Sequence, residues 1–253
     1  MYDYLSTDYD RFVNWQNRLS AELPFILEHL RAINARSVLD AATGTGMHAI
    51  ALAQLGFQAA GADISTGMID RARLNANSAC VQVQFEIAGF GSLGHLFDLH
   101  SFDALLCLGN SLPHLLSPAE LMAALLDFTT CLAPVGLLLI QNRNFDAVMS
   151  HHERWMEPQY HSDGQAEWIF QRFYDFDPDG LLSFNMVTLK RVSTGPWTQN
   201  VVSSRLRPLL KDDLTMALTQ AGFTEITPFG NMAGAPFDLQ TSPNLVLLAR
   251  SPV

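Results

Sequence analysis

Apolar residues recur at helical spacing from Phe12 to Ile33, with Phe25, Ile26, Leu27 and Leu30 on one side. Pro24 falls within this stretch, where a residue lacking an N–H predicts a kink or a restart. Ser37-Val38-Leu39-Asp40 reads as a short apolar strand, and Thr43-Gly44-Thr45-Gly46 as the turn that follows it. Next comes a helix carrying Ile50, Leu52, Ala53 and Leu55, closed by Gly56 as a C-terminal cap. The alternation continues with a strand over 58–64, a helix over 67–76 and strands over 81–87 and 102–108. The strand over 102–108 is almost wholly apolar, as a strand buried on both faces should be. A helix over 118–132 and a strand over 136–141 complete the series. Strand–helix alternation of this kind predicts an α/β, doubly wound parallel sheet with right-handed crossovers.

Beyond Asp146 the pattern changes. Residues 147–165 show little periodicity and carry His151, His152 and His161, which predicts a loop or lid. Strands over 168–176 and 181–192 flank Asp177-Pro178-Asp179-Gly180, a turn in which proline fixes one dihedral and glycine admits positive φ. The expectation is an antiparallel hairpin over the site, with Trp155, Trp168 and Phe170 in its core. A helix over 211–221, stopped by Gly222, and strands over 224–228 and 244–249 close the chain. Four regions follow: a helical cap (1–36), an α/β core (37–146), a substrate-side loop and hairpin (147–200), and the rest of the core (201–253).

Composition narrows the function. Of 253 residues, 48% are hydrophobic, enough for a large core, and no apolar run reaches membrane-helix length. A formal charge of −10 disfavours a nucleic-acid partner. Cys80, Cys107 and Cys131 form no CxxC pair, and the first five residues do not resemble a signal peptide, so a cytoplasmic protein is expected. A homo-oligomer is left open. The three histidines of 147–165 lack metal-ligand spacing, and no metal is expected.

The chemistry centres on Asp40-Ala41-Ala42-Thr43-Gly44-Thr45-Gly46. Glycines here allow a tight turn and close approach of a ligand to the backbone. Asp63, 17 residues past Gly46, stands at the next strand end, where a carboxylate accepts hydrogen bonds from a ribose. A dinucleotide fingerprint would carry a third glycine where Ala49 stands. Asp40 is poor company for a pyrophosphate and good company for an amine, which favours a ligand with an amino-acid moiety and no phosphates.

The run from Asp40 to Gly46 resembles motif I of class I S-adenosylmethionine-dependent methyltransferases. Gly61-Ala62-Asp63-Ile64-Ser65 is similar to their second motif, and Leu132-Ala133-Pro134-Val135-Gly136-Leu137 to the entry of their fifth strand. The resemblance covers roughly residues 9–146 and returns at Ala221-Gly222-Phe223 and Asn244-Leu245-Val246, which implies the family's seven-stranded Rossmann-like sheet. Within the family, Cys107-Leu108-Gly109-Asn110-Ser111-Leu112-Pro113-His114-Leu115, Arg143-Asn144-Phe145-Asp146 and Met186-Val187-Thr188-Leu189 resemble glycine N-methyltransferase and its relatives.

That resemblance implies S-adenosylmethionine as cofactor, S-adenosylhomocysteine as product, and a small-molecule acceptor. It implies that Arg18 holds the methionine carboxylate, that Ala42 and Gly44 line the methionine, and that Asp63 holds the ribose. Ile64 and Met68 would flank the adenine. Leu108 and Asn110 would face cofactor and amine, and Arg143 would anchor the acceptor carboxylate. Asp40, Gly46 and Tyr9, the last as a staple or a lid with Trp15, complete the expected cofactor set. Asn110 and His114 are the catalytic candidates, although a methyl on a sulfonium needs alignment more than acid–base help.

Two departures stand out. Gly89 and Phe90 occupy the place where relatives carry Asp or Asn for the adenine amine, leaving backbone groups or water for that contact. Arg191 and Arg207 fall near two positions where glycine-specific relatives carry tyrosines, so glycine itself is not the expected acceptor. If both arginines face the pocket, the acceptor is more acidic. O-methylation of a metabolite, a nicotinamide-type oxidoreductase and a non-catalytic S-adenosylmethionine-binding protein remain as alternatives.

Overall fold

The computed structural model describes residues 8–253; residues 1–7, with the start of the expected cap, lie outside the described residues. A short helix α1 (Tyr9–Phe12) precedes the long helix α2 (Trp15–Ala32). The Asn14 side chain caps α2 by accepting from the Asn17 N–H. Pro24 lies inside α2, which continues past it without the restart that was one of the two expectations. Phe25, Ile26 and Leu30 bury one face of α2 against the sheet, and this burial offsets the lost backbone hydrogen bond.

The core alternates β1 (Ser37–Ala41), α3 (Met47–Gln54), β2 (Gln58–Asp63), α4 (Thr66–Ser78), β3 (Gln84–Ile87) and β4 (Phe102–Cys107). It continues through α5 (Pro118–Cys131), β5 (Leu132–Arg143), α6 (Phe145–His151), and, after the second sheet, α7 (Lys211–Gln220), β10 (Thr224–Phe229) and β11 (Asn244–Arg250). Ser117 and Glu120 form a reciprocal capping box at the start of α5. The seven strands run in the order β10-β11-β5-β4-β1-β2-β3. β11 is antiparallel to both β5 and β10, and the other pairs are parallel. Strand order reverses between β1 and β4, and the crevice beyond their C-terminal ends is where doubly wound sheets bind ligands. β5 is longer than the expected 136–141 and β3 shorter than the expected 81–87.

The hairpin belongs to a second, antiparallel sheet in the order β6-β7-β8-β9, formed by β6 (Gln159–Ser162), β7 (Ala166–Phe176), β8 (Leu182–Val192) and β9 (Thr198–Leu206). The expected boundary at 200 therefore cuts through β9, and the supposed loop over 147–165 contains the rest of α6 and all of β6. These elements escape a periodicity reading because β6 is four residues long and β9 is largely polar and exposed. The inner face of this sheet buries Trp168 and Phe170 beside Met68 of α4, with Phe12 of α1 edge-on to Phe170 at 5.4 Å. Trp155 is not in that core: it is 58% exposed and packs beside Phe173.

Candidate functional site

Two adjoining cavities, each of about 270 Å³, open at the C-terminal end of the seven-stranded sheet, and only the second is also walled by the antiparallel sheet. Tyr9, Arg18, Gly109 and His114 line both. The first cavity lies past the ends of β1, β2 and β4. Of the residues expected to hold the cofactor, Tyr9, Arg18, Asp40, Ala42, Gly44 and Asp63 line its inner part. Ile64, Met68, Gly89, Phe90 and Leu108 line the remainder.

Local structure explains this convergence. Ala42 has φ +78°, a strained conformation for a residue with a Cβ, and is held there because its N–H and that of Thr43 both donate to the Ala62 carbonyl at 2.8 Å. Asp63 Oδ2 accepts from the Gly44 N–H and Oδ1 from the Ser65 N–H, each at 2.9 Å, tying the two strand-end turns together. Gly46 does not line the cavity. A Cβ there would stand 2.6 Å from the Phe85 ring and 2.9 Å from Ala72, so this glycine lets α3 pack closely. Ile64 is 75% exposed at the mouth, an apolar surface suited to a planar ring. The loop after β3, which carries Gly89 and Phe90, is ordered by Asp127, whose carboxylate accepts from the N–H groups of Gly91, Leu93 and Gly94.

Sequence reasoning did not single out Glu22 and His48, which meet where the cavities adjoin, Glu22 lining the second and His48 the first. Glu22 Oε2 accepts from Arg18 Nε at 3.1 Å and pairs with His48 Nε2 at 2.7 Å, and Oε1 accepts from Gln141 Nε2 at 3.2 Å. Burial alone would raise the Glu22 pKa, but the His48 contact and the Arg18 charge outweigh it and hold Glu22 below the usual carboxylate value. Asp40 is raised instead: it is wholly buried, and its hydrogen bond from Thr43 Oγ1 at 2.8 Å does not offset desolvation. A buried carboxylate in this condition suits a cationic ligand group, whose charge would favour ionisation. Tyr9 is also raised by burial and hydrogen-bonds Arg18. Trp15 donates to Asp10 Oδ1 at 2.9 Å and stands edge-on to His48. A buried carboxylate for an ammonium group, a half-buried one for a ribose, a carboxylate-held arginine and an apolar slot together fit S-adenosylmethionine.

The second cavity brings together Asn110, Asn142 and Arg143 from the core with Arg172, Tyr174 and Met186 from the second sheet. Asn110, at φ +67°, clamps the strand ends: its N–H donates to the Gln141 carbonyl at 3.1 Å and its Oδ1 accepts from the Arg143 N–H at 3.0 Å. Arg143 pairs with Glu153 at 2.8 Å, while its buried Nε has no hydrogen-bond partner. Burial pushes the Tyr174 phenol up to about 12 and the His114 imidazole down to about 4, so both are neutral at physiological pH.

Arg191 and Arg207 line neither cavity. On β8, Phe184 and Met186 line the second cavity, so odd-numbered Arg191 points to the opposite face, where it pairs with Glu167 and stacks on Trp197. The Arg207 backbone N–H donates to the Pro113 carbonyl at 2.7 Å, and its side-chain Nη1 is buried without a hydrogen-bond partner. The arginine that does reach the cavity from the second sheet is Arg172. Its only sequence signal is an even-numbered position on β7, in phase with buried Trp168, Phe170 and Tyr174. Among the described residues, no cluster of three or more His, Cys, Asp or Glu is placed to hold a metal, and no helix is long and apolar enough to cross a membrane.

The sheet order and the crevice define the class I S-adenosylmethionine-dependent methyltransferase fold. A family described as "Methyltransferase domain" matches residues 38–136. Glycine/sarcosine N-methyltransferase of Aphanothece halophytica is 30% identical over 235 residues, covering 88% of this chain and 79% of that protein. Mouse glycine N-methyltransferase is 31% identical over 145 residues, 53% of this chain and 50% of its own. An S-adenosylmethionine-dependent methyltransferase from Clostridium acetobutylicum ATCC 824 superposes with a TM-score of 0.80 at 15% identity, covering 100% of this chain and 99% of that one. The chain belongs to the glycine/sarcosine N-methyltransferase-like family of S-adenosylmethionine-dependent methyltransferases. It is thus an S-adenosylmethionine-dependent enzyme acting on a small molecule.

Proposed function

We propose that this enzyme methylates the amine nitrogen of a small amino acid whose carboxylate is gripped by Arg143. The observation that carries the reading is the junction of the two cavities at Tyr9, Arg18, Gly109 and His114, which lets a methyl donor in one meet an acceptor in the other. In this reading Arg18, oriented by Glu22, holds the methionine carboxylate, Asp40 faces the ammonium, and Asp63 takes the ribose hydroxyls. Ile64, Met68 and Phe90 enclose the adenine. When bound, the cofactor supplies a methyl carbon made electrophilic by the sulfonium.

The chain's own residues supply alignment and exclude water. Neutral His114 puts no positive charge beside a sulfonium and can accept a hydrogen bond from the amine N–H. Arg143 has the donor fork that suits a carboxylate, and its unpartnered Nε supports that role. Amino-acid acceptors of the relatives and the buried free thiols Cys107 and Cys131, suited to a reducing cytoplasm, are consistent with this function.

The test is mass spectrometry of products after incubation with S-adenosylmethionine and a panel of amino acids, amines and hydroxy acids. N-methylation of at least one amino acid is expected. Transfer only to hydroxyls or to amines lacking a carboxylate would overturn the reading.

A further inference from the structure

Arg172 is left unused by the function proposed above. It lies on β7 opposite Met186 in the β7–β8 register, with its guanidinium 4.8 Å from the Phe12 ring centroid. The other two arginines lining the acceptor cavity each have a carboxylate, Glu22 for Arg18 and Glu153 for Arg143. Among the described residues Arg172 forms no such pair, and its buried Nε has no hydrogen-bond partner. Burial lowers its proton affinity, and the neighbouring charge of Arg143 lowers it further.

Asn142, 1% exposed, lines the same cavity with neither its amide nitrogen nor its amide oxygen hydrogen-bonded. A half-buried guanidinium with no carboxylate and an unbonded Nε, beside a buried amide without hydrogen bonds, carries a desolvation cost that a ligand of matching chemistry would remove. One carboxylate on Arg143 leaves both unmatched.

We propose that the acceptor is an amino-dicarboxylate, with one carboxylate on Arg143 and the second on Arg172, the Asn142 amide hydrogen-bonding within the same anion. The inference rests on the N-methylation reading. In the transfer, the amine lone pair forms the new N–C bond while the C–S bond breaks and leaves its electron pair on sulfur. The nitrogen then loses its extra proton to solvent. Two planar guanidinium forks at one cavity suit two planar carboxylates.

The test is calorimetric titration of the S-adenosylhomocysteine-loaded protein with aspartate against asparagine, and with glutamate against glutamine. These pairs match in shape and differ in the second charge. The wild type is expected to bind at least one acidic member about tenfold or more tightly than its amide, the scale of one charge-assisted hydrogen bond. In Arg172→Met that ratio falls towards one, and Arg172→Lys retains part of it. S-adenosylhomocysteine binding by each variant checks that it is folded.

Equal binding of acid and amide by the wild type overturns the proposal, and needs no variant to do so. A preference that survives unchanged in folded Arg172→Met also overturns it. The expected preference without methyl transfer to any amine would sink the N-methylation reading and leave the dicarboxylate site standing. Efficient methylation of glycine or alanine, with no binding preference for the acidic pair, would do the reverse.

Discussion

On the cofactor side the carboxylates have partners inside the protein: Asp63 holds the Gly44 and Ser65 N–H groups, Asp40 the Thr43 hydroxyl, and Glu22 the Arg18–His48–Gln141 set. On the acceptor side Arg143 Nε, Arg172 Nε and both amide atoms of Asn142 are buried without hydrogen bonds. One half of the site is preorganised by its own contacts; in the other, buried polar atoms are left without partners. The difference follows from what each half must do. A cofactor of fixed structure is best met by a cradle already in place. An acceptor is selected most sharply by polar groups that stay unpaired when the wrong molecule binds.

The contrast is most exposed at Asp63. Asp63→Ala removes the ribose acceptor and also frees the Gly44 N–H, so S-adenosylmethionine affinity should fall about a hundredfold or more. Calorimetry checks this, and a loss below about tenfold would mean that the cradle is not organised around this carboxylate. Arg143→Met should lower kcat/KM for the acceptor by about a hundredfold while leaving the cofactor Kd within about threefold. A parallel loss of cofactor binding would erase the division between the two halves.

Glu22→Gln removes the charge that orients Arg18, and about tenfold weaker cofactor binding is expected, with about 1–3 kcal/mol lost from folding at neutral pH. Because the Glu22 pKa is lowered in the folded state, its stabilisation is present above the usual carboxylate range and is lost as pH falls through the folded value. Urea unfolding of wild type and variant should therefore converge in acid. The smallest effect belongs to His114→Asn, expected to change kcat by less than about tenfold, below the range of a general base. Since His114 titrates near pH 4, the acid limb of the rate profile above pH 6 should keep its midpoint in the variant and report the acceptor amine.

The cofactor half was largely legible in the chain because its lining residues sit at strand ends next to one another in sequence. Asp40, Ala42, Gly44 and Asp63 lie within one strand–turn–helix–strand unit, whose geometry is nearly independent of the rest of the fold. Gly46 was read as a ligand contact and is a packing residue, because the sequence shows the turn without the Phe85 ring pressed against it. Glu22 and His48 gave no signal: one reads as an exposed position on an amphipathic helix and the other as a polar interruption of an apolar one.

The acceptor half was legible only where it borders the core, at Asn110, His114 and Arg143. Its far wall is the second sheet, where a shift of one residue reverses which side chains face inward. Arg191 was accordingly expected at the site and lies on the outer face, while Arg172, one strand earlier, took the inward place.

Apolar periodicity, the glycine turn and two acidic strand ends determined the doubly wound sheet and the end of it that binds the cofactor, since these depend on contacts between near neighbours. Tertiary structure decided which arginine of the second sheet lines the second cavity, because that choice depends on how β7 and β8 pair and how their inner face packs on α1 and α4. A strand's sequence gives its two faces, and only packing tells which one is buried.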